Sequence, residues 1–150
     1  MFYRAERFDQ PLSYWNVANV QDMSYLFSRT KKFNSDLSRW KTGALTDISF
    51  LFEGAAAFNS SLFQNVAKVK DMRYAFSATR AFDQPLNTWD VSKVINFSCM
   101  FCASESFNQP LSTWRLSSAK TLQNMFNGAM VFDQDLSHWD ISSDQTPWPH

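Results

Sequence analysis

The chain repeats itself about every 25 residues, and this period constrains the fold more than any other feature. A Phe followed by Asp or Asn recurs at intervals of 25, 25, 24, 25 and 25 residues. The six phenylalanines are Phe8, Phe33, Phe58, Phe82, Phe107 and Phe132. Such periods are typical of repeat proteins, whose coils are stable only when neighbours stack on them. We therefore predict one repeat domain over residues 1–142, with an N-terminal half-coil at 1–7 and a C-terminal tail or cap at 143–150.

Each repeat places the same apolar residue types at the same positions. A Leu lies four residues after the repeating Phe, and in five repeats a Trp lies three residues after that Leu. A second aromatic column contains Phe2, Phe27, Phe52, Phe76, Phe101 and Phe126. We expect these residues to stack inside the domain as apolar columns, and the Asp or Asn beside each Phe to form a ladder that satisfies turn amides. The third repeat lacks its Trp and one residue, so we expect Phe63 to fill part of the gap.

Two local patterns predict the elements of one coil. The segment 86–91 reads L-x-x-W-x-V, in which Trp and Val alternate as in a short strand with one buried face. Phe97, Met100 and Phe101 then follow the i, i+3, i+4 spacing of a short helix. The residues before this segment in successive repeats are good helix N-caps, namely Asp22, Asp47, Asp71, Asn96 and Thr121. The sequence therefore predicts an α/β repeat solenoid of about six coils, each a short parallel strand plus a short helix.

The repeat unit resembles a known surface-protein repeat. Segments 8–15 and 107–114 both read F-[DN]-Q-P-L-S-x-W, which is similar to the roughly 26-residue repeat of BspA-like leucine-rich-repeat proteins. The resemblance extends from Met1 to about Ser142. It implies a leucine-rich-repeat-like fold, a non-catalytic role in adhesion or protein–protein interaction, and a location at the cell surface or outside the cell.

Composition argues against several other functions. Fourteen basic and fourteen acidic residues give a formal net charge of zero, which does not favour a nucleic-acid partner. Gly accounts for only 3 of 150 residues, which argues against phosphate-cradling loops and hairpin-rich barrels, because both need positive φ angles. No apolar stretch approaches the ~18 residues of a transmembrane helix. Residues 1–8 carry charges where a signal peptide needs an apolar core.

Residues with reactive or metal-binding side chains are sparse. Cys99 and Cys102 form a lone C-x-x-C without the second ligand pair of a zinc site or the βαβ context of a redox motif, so we interpret them as ordinary helix residues. His138 lies near Asp140 at a variable outward position, which indicates a surface pair rather than a catalytic one. One carboxylate per coil without Gly gives weak support for calcium. We therefore predict no enzyme activity, no cofactor and no metal site.

Two surfaces are candidates for binding a protein of unknown identity. One is the outward side of the predicted strands, where solenoids commonly bind, and the other is an aromatic stripe on the outer side of the predicted helices. The candidate contact residues are Tyr14, Arg39, Thr88, Thr113 and His138 on the strands, and Tyr25, Phe50 and Tyr74 on the helices. One hypothesis is an interaction or adhesion scaffold. The alternative is a structural or linker subunit whose open ends and aromatic stripe are covered by further repeats or assembly subunits.

Overall fold

The architecture is a stack of turns rather than a stack of helices and strands. A computed structural model of the chain describes residues 1–141 and Pro147. This part of the chain contains no helix, and its strand pairing is limited to isolated parallel bridges that connect Asp22, Asp47, Asp71, Asn96 and Thr121 in that order. The predicted α/β leucine-rich-repeat-like solenoid, with one strand and one helix per coil, is therefore wrong.

Residues 23–30 show what replaces the predicted helix. Every second amide closes a β-turn with the carbonyl three residues earlier, at 3.1–3.2 Å, and these donors are Leu26, Ser28 and Thr30. The amides between them donate to the next repeat at 2.7–3.1 Å, in the pairs Tyr25 to Ser49, Phe27 to Leu51 and Arg29 to Glu53. An α-helix would direct all of these amides to the carbonyl four residues earlier in the same segment. The alternation instead makes a ribbon of turns that is bonded to its neighbours.

Two left-handed residues in each repeat build this ribbon. Tyr25 and Arg29, both with φ of 60°, occupy the third positions of β-turns, where type II turns require positive φ. Positive φ recurs at equivalent positions in the other repeats, at Arg4, Phe50, Gly54, Tyr74, Ala78, Cys99, Ala103, Asn124 and Gly128. Nine of these eleven described residues are not Gly. The premise that scarce Gly excludes positive φ is therefore wrong, because hydrogen bonds between repeats hold ordinary residues in this conformation.

The two sequence patterns that indicated a helix both have a structural role in the turn ribbon. Phe97, Met100 and Phe101 are all fully buried, so the i, i+3, i+4 apolar spacing describes an inward face of the ribbon. The Asp22 Oδ1 accepts the amide of Ser24 at 2.8 Å. In the following four repeats, the side-chain oxygen at the equivalent position likewise accepts the amide two residues later. An acceptor that can cap a helix here begins a series of turns.

The predicted strand is also a β-turn. The amide of Trp40 donates to the Leu37 carbonyl at 3.2 Å, and the other four Leu-x-x-Trp segments form the same turn. The Trp40 indole Nε1 donates to the carbonyl of Leu12 in the preceding repeat at 2.8 Å. In the third repeat, the buried Phe63 ring stacks between Trp40 and Trp89 at centroid distances of 6.4 and 6.1 Å. The prediction that Phe63 fills the gap is confirmed.

The core is built around the two predicted phenylalanine columns, against which buried Leu, Val, Met and Trp side chains pack. Rings in the Phe8–Phe132 column stack at 5.7–6.0 Å from repeat to repeat. Rings in the Phe2–Phe126 column stack at 5.6–5.7 Å. The two columns contact each other at 4.0–4.3 Å within each repeat. Full burial of one such side chain stabilises the fold by about 1.5–3 kcal/mol, so most of the stability depends on neighbouring repeats.

The predicted polar ladder beside the first column is present. The Asn59 Oδ1 accepts the amide of Asp83 at 2.9 Å, and five such rungs connect Asp9 to Asp133. At the far end of the stack, the carbonyl of the buried Pro147 accepts the amide of Phe126 at 3.1 Å. The remainder of the predicted tail at 143–150 lies outside the described residues.

Candidate functional site

An aromatic stripe runs along the surface, centred on the first left-handed position of three successive repeats. The rings of Tyr25 and Phe50 stack at 4.5 Å, and those of Phe50 and Tyr74 at 4.6 Å, with 6° between planes in both pairs. Tyr3 meets Tyr25 edge-on at 5.9 Å. Tyr25 and Tyr3 are 44% and 46% exposed, whereas Phe50 and Tyr74 are half-buried. We call these four residues the aromatic stripe. Tyr3 was missed from the sequence because it aligns with Ser28 and not with the column of Tyr25.

The stacking decides which ligands the stripe suits. Both faces of the Phe50 ring are covered by its tyrosine neighbours, so neither face is available to a nucleobase or a sugar ring. Ring edges, which carry the positive side of the aromatic quadrupole, and the tyrosine hydroxyls remain for contacts. Edges and hydroxyls suit carbonyl oxygens, carboxylates and other aromatic side chains.

A shallow groove lies along the second left-handed position of three successive repeats. It has a volume of about 480 Å³ and is lined in part by Gly54, Ala78 and Ala103, with Lys31, Arg80 and Glu105 around them. Lys31 pairs with Glu6 at 3.4 Å, and Arg80 approaches Glu105 at 4.0 Å. These charges compensate one another at the exposed surface, so the groove does not present the concentrated positive field that an anionic ligand requires.

The other predicted surface is a row of turn apices. Tyr14, Arg39, Thr88, Thr113 and His138 are all exposed, as predicted, but each lies at the third position of a Leu-x-x-Trp turn rather than on a strand. Tyr14 is 79% exposed. The Thr113 hydroxyl donates to the Asn87 side chain at 2.8 Å, and the Thr88 hydroxyl contacts Gln64. The row therefore has one exposed side chain per repeat and no aromatic continuity.

Cys99 and Cys102 form a disulfide across one β-turn, with their Cα atoms 4.7 Å apart. The Cys102 amide donates to the Cys99 carbonyl at 3.1 Å. The interpretation as ordinary helix residues is wrong in both respects. A turn places residues i and i+3 within the roughly 4.4–6.8 Å that a disulfide spans, so the turn is compatible with the bond.

Carboxylates at the turn starts have pKa values set by the turns themselves. Hydrogen bonds from Ser24 lower the pKa of Asp22, and those from Ser92 do the same for Asp90. Asp71 is equivalent to Asp22, but burial raises its pKa. The hydrogen bond from the Arg73 amide and the charge of the Arg73 guanidinium each lower this pKa by less than burial raises it. The lowered pKa values of Asp22 and Asp90 arise from hydrogen bonds that hold turns, which identifies these carboxylates as structural acceptors.

Two further observations concern residues 1–141 and Pro147. Their His, Cys, Asp and Glu side chains do not gather in groups of three that could hold a metal ion. None of their segments forms a helix with the length and apolar character needed to cross a membrane.

A family model described as Mycoplasma protein of unknown function, DUF285, matches the chain twice. The two matches cover residues 1–67 and 63–147, so that together they take in nearly all of the repeats. No curated protein and no solved structure matched the sequence. Because the matched region is far more than half of the sequence, the chain belongs to the DUF285 family.

Proposed function

We propose that the protein is a non-catalytic module that binds another protein through the aromatic stripe formed by Tyr3, Tyr25, Phe50 and Tyr74. The observation that supports this proposal is the continuous stack of partly exposed rings outside the core. Contiguous exposed aromatic side chains are enriched in protein interfaces and are uncommon elsewhere on surfaces. The stripe can be covered by a partner without any rearrangement of the two phenylalanine columns.

The backbone conformation of the stripe supports a role beyond folding. Tyr25, Phe50 and Tyr74 have φ between 56° and 60°, which is unfavourable for bulky side chains. Asn, which tolerates this conformation better, occupies the equivalent position as Asn124. Three successive repeats therefore carry aromatic residues where the local backbone favours a smaller polar one. Binding provides a reason for that choice.

The finer assignment to the BspA-like surface repeats is part of the same proposal. It is supported by segments 8–15 and 107–114, which match that repeat closely. The resemblance implies that the module lies at a cell surface or outside the cell, where it acts in adhesion. The leucine-rich-repeat architecture does not form part of the proposal.

A second candidate function is a subunit buried in a larger assembly. It is favoured by the first repeat, where Tyr14 and Trp15 are 79% and 42% exposed and Met1 is 87% exposed. Later tryptophans of the same column, such as Trp89 at 2%, are buried. Light scattering after gel filtration distinguishes the two candidates: a stable monomer favours the binding module, whereas aggregation of the isolated chain favours the assembly subunit.

The test of the proposal replaces the stripe without disturbing its backbone. A triple variant with Tyr25→Asn, Phe50→Asn and Tyr74→Asn places at each position the residue that the chain itself uses at 124. A matched control carries Arg39→Ala, Thr88→Ala and Thr113→Ala on the row of turn apices. Binding to intact cells and to immobilised matrix proteins is measured by flow cytometry and interferometry. We expect the stripe variant to bind at least ~10-fold more weakly, and the control to bind normally. Loss of binding in the control alone would refute the proposal.

A further inference from the structure

We infer that the Cys99–Cys102 disulfide is a reversible modification site at which an external thiol is captured on Cys99. The bond lies at the surface, since both cysteines are half-buried. Cys99 has φ of 52° and occupies the left-handed position that holds Tyr74 in the preceding repeat. The Tyr74 amide donates to Ser98 at 2.9 Å, which brings the cysteine turn against the end of the aromatic stripe.

The other repeats show that this disulfide is not needed to form its turn. The same i to i−3 hydrogen bond, at 3.0–3.3 Å, closes the equivalent turns without cysteine, in the pairs Ser28 to Tyr25, Glu53 to Phe50, Ser77 to Tyr74 and Asn127 to Asn124. A cross-link between residues three apart closes the smallest of loops and therefore constrains the unfolded chain little. The disulfide can therefore be reduced without unfolding its repeat, and it is available for thiol–disulfide exchange.

The surrounding backbone can also accommodate the two cysteines in their reduced, dithiol form. The Cys102 Sγ lies 2.9 Å from the backbone carbonyl oxygen of Asn124 in the next repeat. In the dithiol form, the Cys102 S–H can donate to this oxygen. The same backbone therefore satisfies both redox states, and no rearrangement of the neighbouring repeats is required.

The exchange proceeds in two balanced steps. A thiolate attacks the Cys99 Sγ, a new S–S bond forms, and the electron pair of the old bond leaves on the Cys102 Sγ, which takes a proton from water and donates to Asn124. A second thiolate attacks the incoming sulfur and releases the Cys99 thiolate and an external disulfide. Two external thiols are thus oxidised as the protein disulfide is reduced. Attack falls on Cys99 because the Asn124 carbonyl oxygen lies 2.9 Å from the Cys102 Sγ and obstructs the approach to that sulfur.

The first test isolates each cysteine in the full chain. Cys102→Ser leaves Cys99 free and introduces the residue found at Ser28 and Ser77, whereas Cys99→Asn leaves Cys102 free and introduces the residue found at Asn124. Both substitutions therefore reuse residues that the ribbon already holds. Each variant is incubated with oxidised glutathione, and the mixed disulfide is followed by intact mass. We expect Cys99 to be modified at least ~5-fold faster than Cys102. Equal rates, or faster modification of Cys102, would overturn the assignment.

The second test identifies the source of the thiol and shows whether the fold survives. The oxidised wild-type chain is treated with reduced glutathione in one arm and with a small reduced dithiol protein, thioredoxin, in the other. Circular dichroism follows the fold and alkylation follows the thiols. We expect reduction of the native chain with its spectrum unchanged. Faster reduction by glutathione indicates a small-thiol site, and faster reduction by thioredoxin indicates a protein thiol. Reduction only after unfolding by urea would refute the proposal.

Discussion

The indole Nε1 of Trp114 donates a hydrogen bond at 3.0 Å to the carbonyl oxygen of Leu86, which lies 28 residues earlier in the preceding repeat. Trp40 and Trp139 make the same bond to Leu12 and Leu111, at 2.8 and 3.4 Å. A Phe at this position would keep the ring stack but lose the donor. Trp89, which follows the shortened repeat, donates instead to the Phe63 carbonyl at 3.1 Å. In that repeat the Leu62 carbonyl accepts the Gln64 side chain at 2.9 Å.

Trp114→Phe should lower the free energy of unfolding by about 1–3 kcal/mol, because it removes a buried hydrogen bond and part of a buried ring. Urea unfolding followed by circular dichroism measures the loss. The control is Trp15→Phe, because Trp15 is 42% exposed whereas Trp114 is 1% exposed. Its substitution should cost much less. Equal losses at both positions would show that the bond between repeats contributes nothing.

The polar ladder gives a second prediction, at Asn59. Its Oδ1 accepts the Asp83 amide at 2.9 Å and the Gln84 side chain at 3.0 Å. Asn59→Ala removes both bonds and should cost about 1–2 kcal/mol in unfolding free energy. Asn59→Asp retains the acceptor that Asp9 and Asp83 provide on other rungs, so it should cost less than half as much. A loss with Asp as large as with Ala would contradict the ladder.

Positive φ at Ala78 gives a third prediction. Ala78 has φ of 57° and is equivalent to Gly54 and Gly128. The left-handed conformation costs a residue with a Cβ about 1–2 kcal/mol, which exceeds the entropic cost of Gly. Ala78→Gly should therefore raise the unfolding free energy by ~0.5–1 kcal/mol, measured by urea unfolding. Ala75→Gly, at a buried position without positive φ, should lower it. Destabilisation by both substitutions would argue against a left-handed turn at 78.

Replacement of Asp71 should change the stability of the protein in a pH-dependent way. Burial raises the pKa of Asp71 above the ordinary value of 3.8, so the folded state disfavours the charged form and the penalty grows as pH rises through the folded pKa. Asp71→Asn should raise the melting temperature by ~1–2 °C at pH 7, with the gain absent at about pH 3. Asn96 shows that Asn supports the same turn, since its Oδ1 accepts the Ser98 amide at 2.9 Å.

Asp22→Asn is the matched control for this measurement. Hydrogen bonds from Ser24 lower the pKa of Asp22, so its contribution to stability is present above pH 3.8 and is lost as pH falls through the folded pKa. The Asn variant should therefore melt lower than the wild type at pH 7 and converge with it in acid. A common response of the two variants to pH would contradict the assigned shifts.

The sequence predicted which residues are buried better than it predicted the backbone that buries them. The columns through Phe33 and Phe52 follow from the repeat, because every coil must stack the same apolar residues. The backbone conformation does not follow from the repeat. Phe97, Met100 and Phe101 have the spacing of a helix, but the same three residues are also buried in the turn ribbon. The Asp22 carboxylate likewise begins a helix or a turn with the same acceptor geometry. What decides between them is the set of amide bonds to the next repeat, which no single segment encodes.

The repeat also made the members of the proposed binding surface predictable, but not their backbone conformation. Tyr25, Phe50 and Tyr74 share a column, so any stacked repeat brings them together, and the structure does so at 4.5 and 4.6 Å. Their left-handed backbone was not predictable from residue type, because aromatic residues disfavour it. The disulfide was missed because a lone C-x-x-C, without a second cysteine pair or the βαβ context of a redox motif, gives no sign of oxidation.

The most direct test of the turn ribbon is a measurement of φ along residues 22–30 by solution NMR, from backbone couplings and chemical shifts in the full chain. We predict positive φ at Tyr25 and Arg29 and negative φ at the residues between them, with the amides of Tyr25, Phe27 and Arg29 bonded to the next repeat. Negative φ throughout the segment, with amides bonded to carbonyls four residues earlier, would establish a helix and contradict the fold described above.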